Sequence, residues 1–101
     1  MKNETVEQIY DRYEAGQDVF IDVRQPEEWE EGVIPGAKTI MLAELPEHLE
    51  SLDKDASYVM VCRSGGRSGR AQQMMAAAGF SHVVNFDGGM LAWYDEGHPT
   101  D

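Results

Sequence analysis

The passage that most constrains this chain runs from residue 57 to residue 78. It opens on Ser57-Tyr58-Val59-Met60-Val61, an apolar, β-prone run that reads as a central strand buried on both faces. It then crosses Cys62-Arg63-Ser64-Gly65-Gly66-Arg67-Ser68, a turn with two adjacent glycines. Beyond it, Ala71, Met74, Met75 and Ala78 recur at the spacing of one helix face. Gly79 suits the left-handed position just past that helix, and Phe80 can fold back on its last turn.

The rest of the chain repeats the alternation of strand and helix. A helix is expected over 5–15, where Thr5 and Gln8 fit a capping box, Val6, Ile9, Tyr10 and Tyr13 form the apolar stripe, and Gly16 stops it. Residues 19–23 read as a buried strand and 26–32 as a short helix with proline in its first turn. A turn at 34–37, a strand at 39–41 and a helix at 45–52 follow. Residues 82–86 read as a strand and 90–96 as the last helix. This order predicts an α/β fold with a short, mostly parallel central sheet. One domain over 1–101 is expected, its core at about 5–97 and its ends frayed. In open parallel sheets sites lie beyond the carboxyl ends of the strands, where Cys62 falls.

Charge narrows the partners. Nineteen acidic residues against eight lysines and arginines give a net charge of −11, which disfavours nucleic acid and anionic membrane surfaces. The acidity is first a solubility device, and a basic protein partner is its functional alternative. One cysteine cannot form an internal disulfide, and no apolar run is long enough for a secretory signal or a membrane span. A monomer in a reducing cytoplasm is the expectation.

Against that acidity, Arg63, Arg67 and Arg70, three of the five arginines, gather around the single thiol. A cysteine is nucleophilic only as thiolate, and an unperturbed thiol is roughly 3% ionised at pH 7. Making it mostly ionised takes about 2.7 kcal/mol of differential stabilisation. The helix N-terminus after Cys62, converging amides allowed by Gly65 and Gly66, and the charges of Arg63 and Arg67 are the available sources. The same turn would cradle an anion, with Arg67 as a bidentate fork and Ser64 and Ser68 as hydrogen-bonding groups. The sulfur is expected to be both ionised and reachable. Asp22 and Arg24 read as a structural ion pair, and Trp29 and Trp93 as core anchors, with Trp93 near the site mouth as an alternative. His48, His82 and His98 lack metal-ligand spacing.

Two substrate classes suit a thiolate in an anion cradle: thiosulfate-like sulfur compounds and phosphate-like oxyanions. Cysteine-dependent phosphatases carry arginine six positions after the cysteine, where this chain has Ser68; here arginine comes at the fifth position, Arg67. The shorter loop resembles that of the rhodanese family of sulfurtransferases. So do Phe20-Ile21-Asp22-Val23-Arg24-Gln25-Pro26-Glu27-Glu28-Trp29, Gly32-Val33-Ile34-Pro35-Gly36-Ala37 and Asp87-Gly88-Gly89-Met90-Leu91-Ala92-Trp93. Val33 stands where the family often has histidine, and Met41 where it often has proline; both lie outside the loop.

The resemblance implies a three-layer rhodanese-like fold with helices on both faces of the sheet. It implies Cys62 as a persulfide carrier, with Arg63, Ser64, Gly65, Gly66, Arg67 and Ser68 as the substrate-binding loop. A small sulfur-containing anion would be the donor, and cyanide, a low-molecular-weight thiol or a protein thiol the acceptor. The alternatives are a phosphatase or arsenate reductase-like enzyme, and a non-catalytic binding module of the same fold.

Overall fold

The computed structural model describes residues 2–101. Five parallel strands form one sheet in the order β1-β5-β4-β2-β3. In chain order these are β1 (Lys2–Glu4), β2 (Val19–Asp22), β3 (Lys38–Thr39), β4 (Ser57–Val61) and β5 (His82–Phe86). The α-helices are α1 (Val6–Ala15), α2 (Pro26–Trp29), α3 (Leu45–His48), α4 (Gly66–Ala77) and α5 (Gly89–Asp95). The expected α/β fold is observed, and the sheet is parallel throughout.

The strand period of two splits the core between the faces. Ile21, Tyr58, Met60 and Cys62 belong to a cluster completed by Leu45 of α3 and Ala71 and Met75 of α4. Phe20, Val59, Val61, Val84 and Phe86 belong to a second one, with Ile9 of α1 and Met90 and Trp93 of α5. Helices therefore cover both faces. A central strand buried twice over must be apolar at every position, which is why Tyr58 to Val61 reads as an unbroken run.

Local signals in the sequence place the helix ends. Thr5 caps α1 reciprocally with Gln8: the Thr5 amide donates to Gln8 Oε1 at 2.9 Å, and the Gln8 amide to Thr5 Oγ1 at 3.4 Å. Past α4, Gly79 at φ +99° lets its own amide donate to Ala76 O and that of Phe80 to Met75 O, both at 3.1 Å.

Several expectations need correction. The N-terminal end is not frayed: β1 pairs with β5, and buried Glu4 accepts from Arg12 at 2.6 and 2.9 Å. The C-terminal end is also tied down. Trp93 Nε1 donates to Pro99 O at 2.7 Å, the Asp101 amide to Val33 O at 2.9 Å, and His98 stacks on Tyr10. The helix expected over 45–52 is one α turn, α3, between the 3-10 turns Leu42–Glu44 and Leu49–Ser51. The strand expected at 39–41 falls at Lys38–Thr39, on the sheet edge. Trp29 is half-buried and outside both clusters, its Nε1 donating to Asp22 Oδ1 at 3.3 Å.

Candidate active site

Cys62 follows β4 directly and keeps its alternation, so it joins Tyr58 and Met60 on the face covered by α4. The chain then turns back over the sulfur. Gly65, at φ +106°, brings its amide 3.1 Å from Cys62 Sγ, and Ser68 Oγ lies 3.3 Å from it. The left-handed conformation at Gly65 is one that side-chain-bearing residues adopt at a cost.

A second helix holds the loop from the other side. The Met90 amide donates to Cys62 O at 2.9 Å and the Leu91 amide to Arg63 O at 3.1 Å. The first turn of α5 thus takes up the carbonyls of the two residues that begin the loop. Gly89 permits the approach: a Cβ there would stand 2.5 Å from both carbonyl oxygens, and its φ is +56°. Glycines 88 and 89 belong to the Asp87-Gly88-Gly89 turn that leads into the last helix. Their physical reason is this contact.

Burial pushes the Cys62 thiol up, since it disfavours the charged form. The Ser68 hydroxyl and the amides of Ser68, Gly65 and Ser64 push it down and prevail, so the thiol sits below its ordinary value. The expectation of a reachable sulfur is not met in the same way. Cys62 is 1% exposed, because the turn that supplies the hydrogen bonds also covers the atom. Two surface hollows, one beside Lys2, Arg12 and His82 and one beside Tyr13, Asp18 and Lys38, include no loop residue in their walls.

The loop residues divide. Gly65 and Ser68 are buried against the sulfur; Arg63, Ser64 and Gly66 are exposed. Arg67 turns its fork to Glu28 of α2, with Nη1 and Nη2 at 2.7 and 2.8 Å from the two carboxylate oxygens. That bond holds the Glu28 carboxyl down at about 2 and raises Arg67. In this structure the fork anticipated for an anionic ligand therefore braces α4 against α2. Arg63 makes no ion pair among the described residues.

Beside the loop, Arg24 Nη2 lies 2.8 Å from Asp22 Oδ2, and each side chain is 1% exposed. Arg24 also donates to Gly32 O at 3.0 Å and to Tyr94 Oη at 3.2 Å. This is the structural ion pair anticipated from sequence, and it ties β2 to the turn after α2 and to α5. Trp93 is a core anchor, fully buried and packed edge-on to Tyr13 and Phe86. Sequence reasoning passed over Asn85, which accepts from Ser68 Oγ at 2.6 Å. Its one signal was a polar side chain between the apolar Val84 and Phe86, in the part of β5 that the fold buries. Among the described residues, no three His, Cys, Asp or Glu side chains cluster as metal ligands would.

Comparison with known proteins gives this geometry a family. A Rhodanese-like domain model matches residues 5–96. The chain is 43% identical over 94 residues to "Putative sulfurtransferase YtwF" of Bacillus subtilis, covering 92% of this chain and 90% of that protein. It is 35% identical over 81 residues to a protein named "Sulfurtransferase" from Allochromatium vinosum, covering 80% and 76%. The crystal structure of a rhodanese-like domain protein from Staphylococcus aureus superimposes with a TM-score of 0.89 at 36% identity, covering 100% of this chain and 97% of that one. Sequence relatives and solved structure converge, and the chain belongs to the rhodanese-like domain family.

Proposed function

We propose that this protein carries sulfane sulfur on Cys62, taking it from thiosulfate or a persulfide donor and passing it to a thiophilic acceptor. The observation that carries this reading is the sulfur of the only cysteine, at the carboxyl end of β4, facing the Gly65 amide and the Ser68 hydroxyl. Hydrogen bonds of that kind favour a thiolate and, after transfer, an anionic persulfide.

The reaction runs in two halves. The Cys62 thiolate attacks the outer sulfur of the donor. A new S–S bond forms as the donor's own bond breaks, and sulfite or a thiolate leaves with the electron pair. An acceptor thiolate or cyanide then attacks the outer sulfur of the persulfide, and Cys62 departs as thiolate. Arg63, Ser64, Gly65, Gly66, Arg67 and Ser68 form the cradle. The exposed Arg63–Ser64 turn is the part that must yield, because the donor has to reach an atom the loop covers. We place the whole chain as one such unit, working as a monomer in a reducing cytoplasm. Its acidic surface would guide a protein donor or acceptor.

Thiosulfate treatment followed by mass spectrometry should add about 32 Da to Cys62, removed again by a thiol reductant. An unmodified cysteine under those conditions overturns the reading. Hydrolysis of an aryl phosphate without sulfur transfer would put a phosphatase in its place. Slow alkylation of Cys62, with the pH dependence of an ordinary thiol at about 8.5 and neither activity, would favour a binding module.

A further inference from the structure

Asn85 lies on β5 between the loop and β1. Its Nδ2 donates to Gly65 O at 3.1 Å and to Asn3 Oδ1 at 3.0 Å. A carbonyl can only accept, so Gly65 O fixes the amide nitrogen on its side and leaves the amide oxygen facing Ser68. Ser68 Oγ is 2.6 Å from that oxygen and 3.3 Å from Cys62 Sγ. An amide oxygen has no proton to give, so the proton in the shorter contact belongs to Ser68. Ser68 has one, and it cannot serve Asn85 and Cys62 together.

We infer that Asn85 is a positioning residue for sulfur transfer, competing with the Cys62 sulfur for the single hydroxyl proton of Ser68. The inference rests on the sulfur-transfer reading, because it assigns the two hydroxyl orientations to steps of that cycle. With a neutral thiol, Cys62 S–H donates to Ser68 Oγ and Ser68 O–H donates to Asn85 Oδ1. On ionisation the thiol proton leaves to solvent and the Ser68 O–H rotates onto Sγ. Ser68 Oγ and Asn85 Oδ1 then face each other with no proton between them, an unfavourable contact for two buried acceptors. When the persulfide forms, the negative charge moves to the outer sulfur, Sγ becomes a poor acceptor, and the hydroxyl returns to Asn85. No covalent bond changes in the rotation. Asn85 therefore opposes the resting thiolate and favours the loaded state.

Other charges act on the same sulfur. Arg67 of α4 couples to Cys62 while paired with Glu28 of α2. Arg63 stands in the loop, and the Asp22–Arg24 pair closes β2. An Asp87 carboxylate oxygen lies 3.3 Å from where a Cβ on Gly65 would sit. All stay constant in a comparison of neutral substitutions at 68 and 85.

The test is the pH dependence of Cys62 alkylation in the wild type, Asn85→Ala, Ser68→Ala and the double variant. Ser68→Ala should move the reactivity profile to higher pH. Asn85→Ala should move it to lower pH, with roughly three- to tenfold more thiolate at a fixed pH below the midpoint. In the Ser68→Ala background the Asn85 substitution should no longer move the profile to lower pH. A merely structural Asn85 predicts the opposite sign, because loosening Gly65 weakens the cradle. A profile moved to higher pH, left unchanged, or shifted equally without Ser68 overturns the inference. If Asn85→Ala does not fold, the S–H stretching band decides. In the acid form it should lie at lower frequency in the wild type than in Ser68→Ala, and equal frequencies overturn the inference. Alkylation needs no sulfur donor, so absence of a Cys62 persulfide would reject the transfer reading separately from these profiles.

Discussion

Two neighbouring strands, β2 and β4, carry acidic groups to the same end of the sheet, and the protein answers them in opposite ways. Asp22 pairs in register with Val61, so its carboxylate and the Cys62 sulfur are one residue apart along adjacent strands. Asp22 receives a guanidinium: the Arg24 amide, Nε and Nη2 all donate to it, between 2.8 and 3.1 Å. Cys62 receives a backbone amide and a hydroxyl, while the guanidinium of Arg67 is spent on Glu28. A buried carboxylate matched by a full counter-charge is held in place as a structural strut. A sulfur held by dipoles gains stability as an anion and is not bound to a cation that would have to be displaced. On the proposed function, the difference separates a fold-holding anion from a reactive one at nearly the same depth.

Exchanging the two roles by mutation gives the largest effects. Cys62→Ser should lower sulfur transfer more than roughly a thousandfold while moving the urea midpoint little. Arg24→Met should do the reverse to stability. It strands Asp22 without a cation and removes donors from Gly32 O and Tyr94, a loss of about 3–5 kcal/mol by denaturant unfolding. An Arg24→Met protein as stable as the wild type would break the comparison, since the pair would then not be holding the fold.

Gly89→Ala comes next and touches both sides. A Cβ at 2.5 Å from the carbonyl oxygens of Cys62 and Arg63, on a backbone at φ +56°, must displace either the loop or the start of α5. Destabilisation of at least about 2 kcal/mol is expected, together with slower alkylation of Cys62 as its cradle opens. Unchanged alkylation in a destabilised Gly89→Ala protein would mean that the cradle does not depend on α5.

What was legible in the sequence was what is local. The capping box of α1, the glycine stop after α4, the apolar run of β4 and the spacing from Cys62 to Arg67 all depend on residues within about one helical turn of one another. They carried the α/β fold, the sheet end that bears the thiol, and the loop. What was illegible depends on partners chosen across the fold. β1 has no apolar pattern; it forms because its backbone meets β5 and its one buried carboxylate meets Arg12. The fork of Arg67 finds Glu28, thirty-nine residues away. Asn85 gains its place from Ser68, Gly65 and Asn3, which no short window contains. The cover over the sulfur followed from the same amides that were expected to charge it, an effect of closure that composition cannot express.

The smallest expected effect comes from Glu28→Gln, at the pair that lies between the two extremes. Both side chains are partly exposed, so the bridge stabilises by no more than about 1 kcal/mol. Its pH dependence has a definite sign. The Glu28 carboxyl, ordinarily at 4.5, is held at about 2 by Arg67. Its contribution is fully present above pH 4.5 and is lost as pH falls through about 2. The stability difference between wild type and Glu28→Gln should therefore be flat near neutrality and shrink in acid. The same change releases the Arg67 fork beside the loop, so KM for thiosulfate should fall a few-fold with kcat little altered. If KM stays where it was, Arg67 is a strut between α2 and α4, and amides and hydroxyl alone hold the sulfur's charge. That outcome would sharpen the contrast with Asp22, since no guanidinium would then serve the Cys62 sulfur at all.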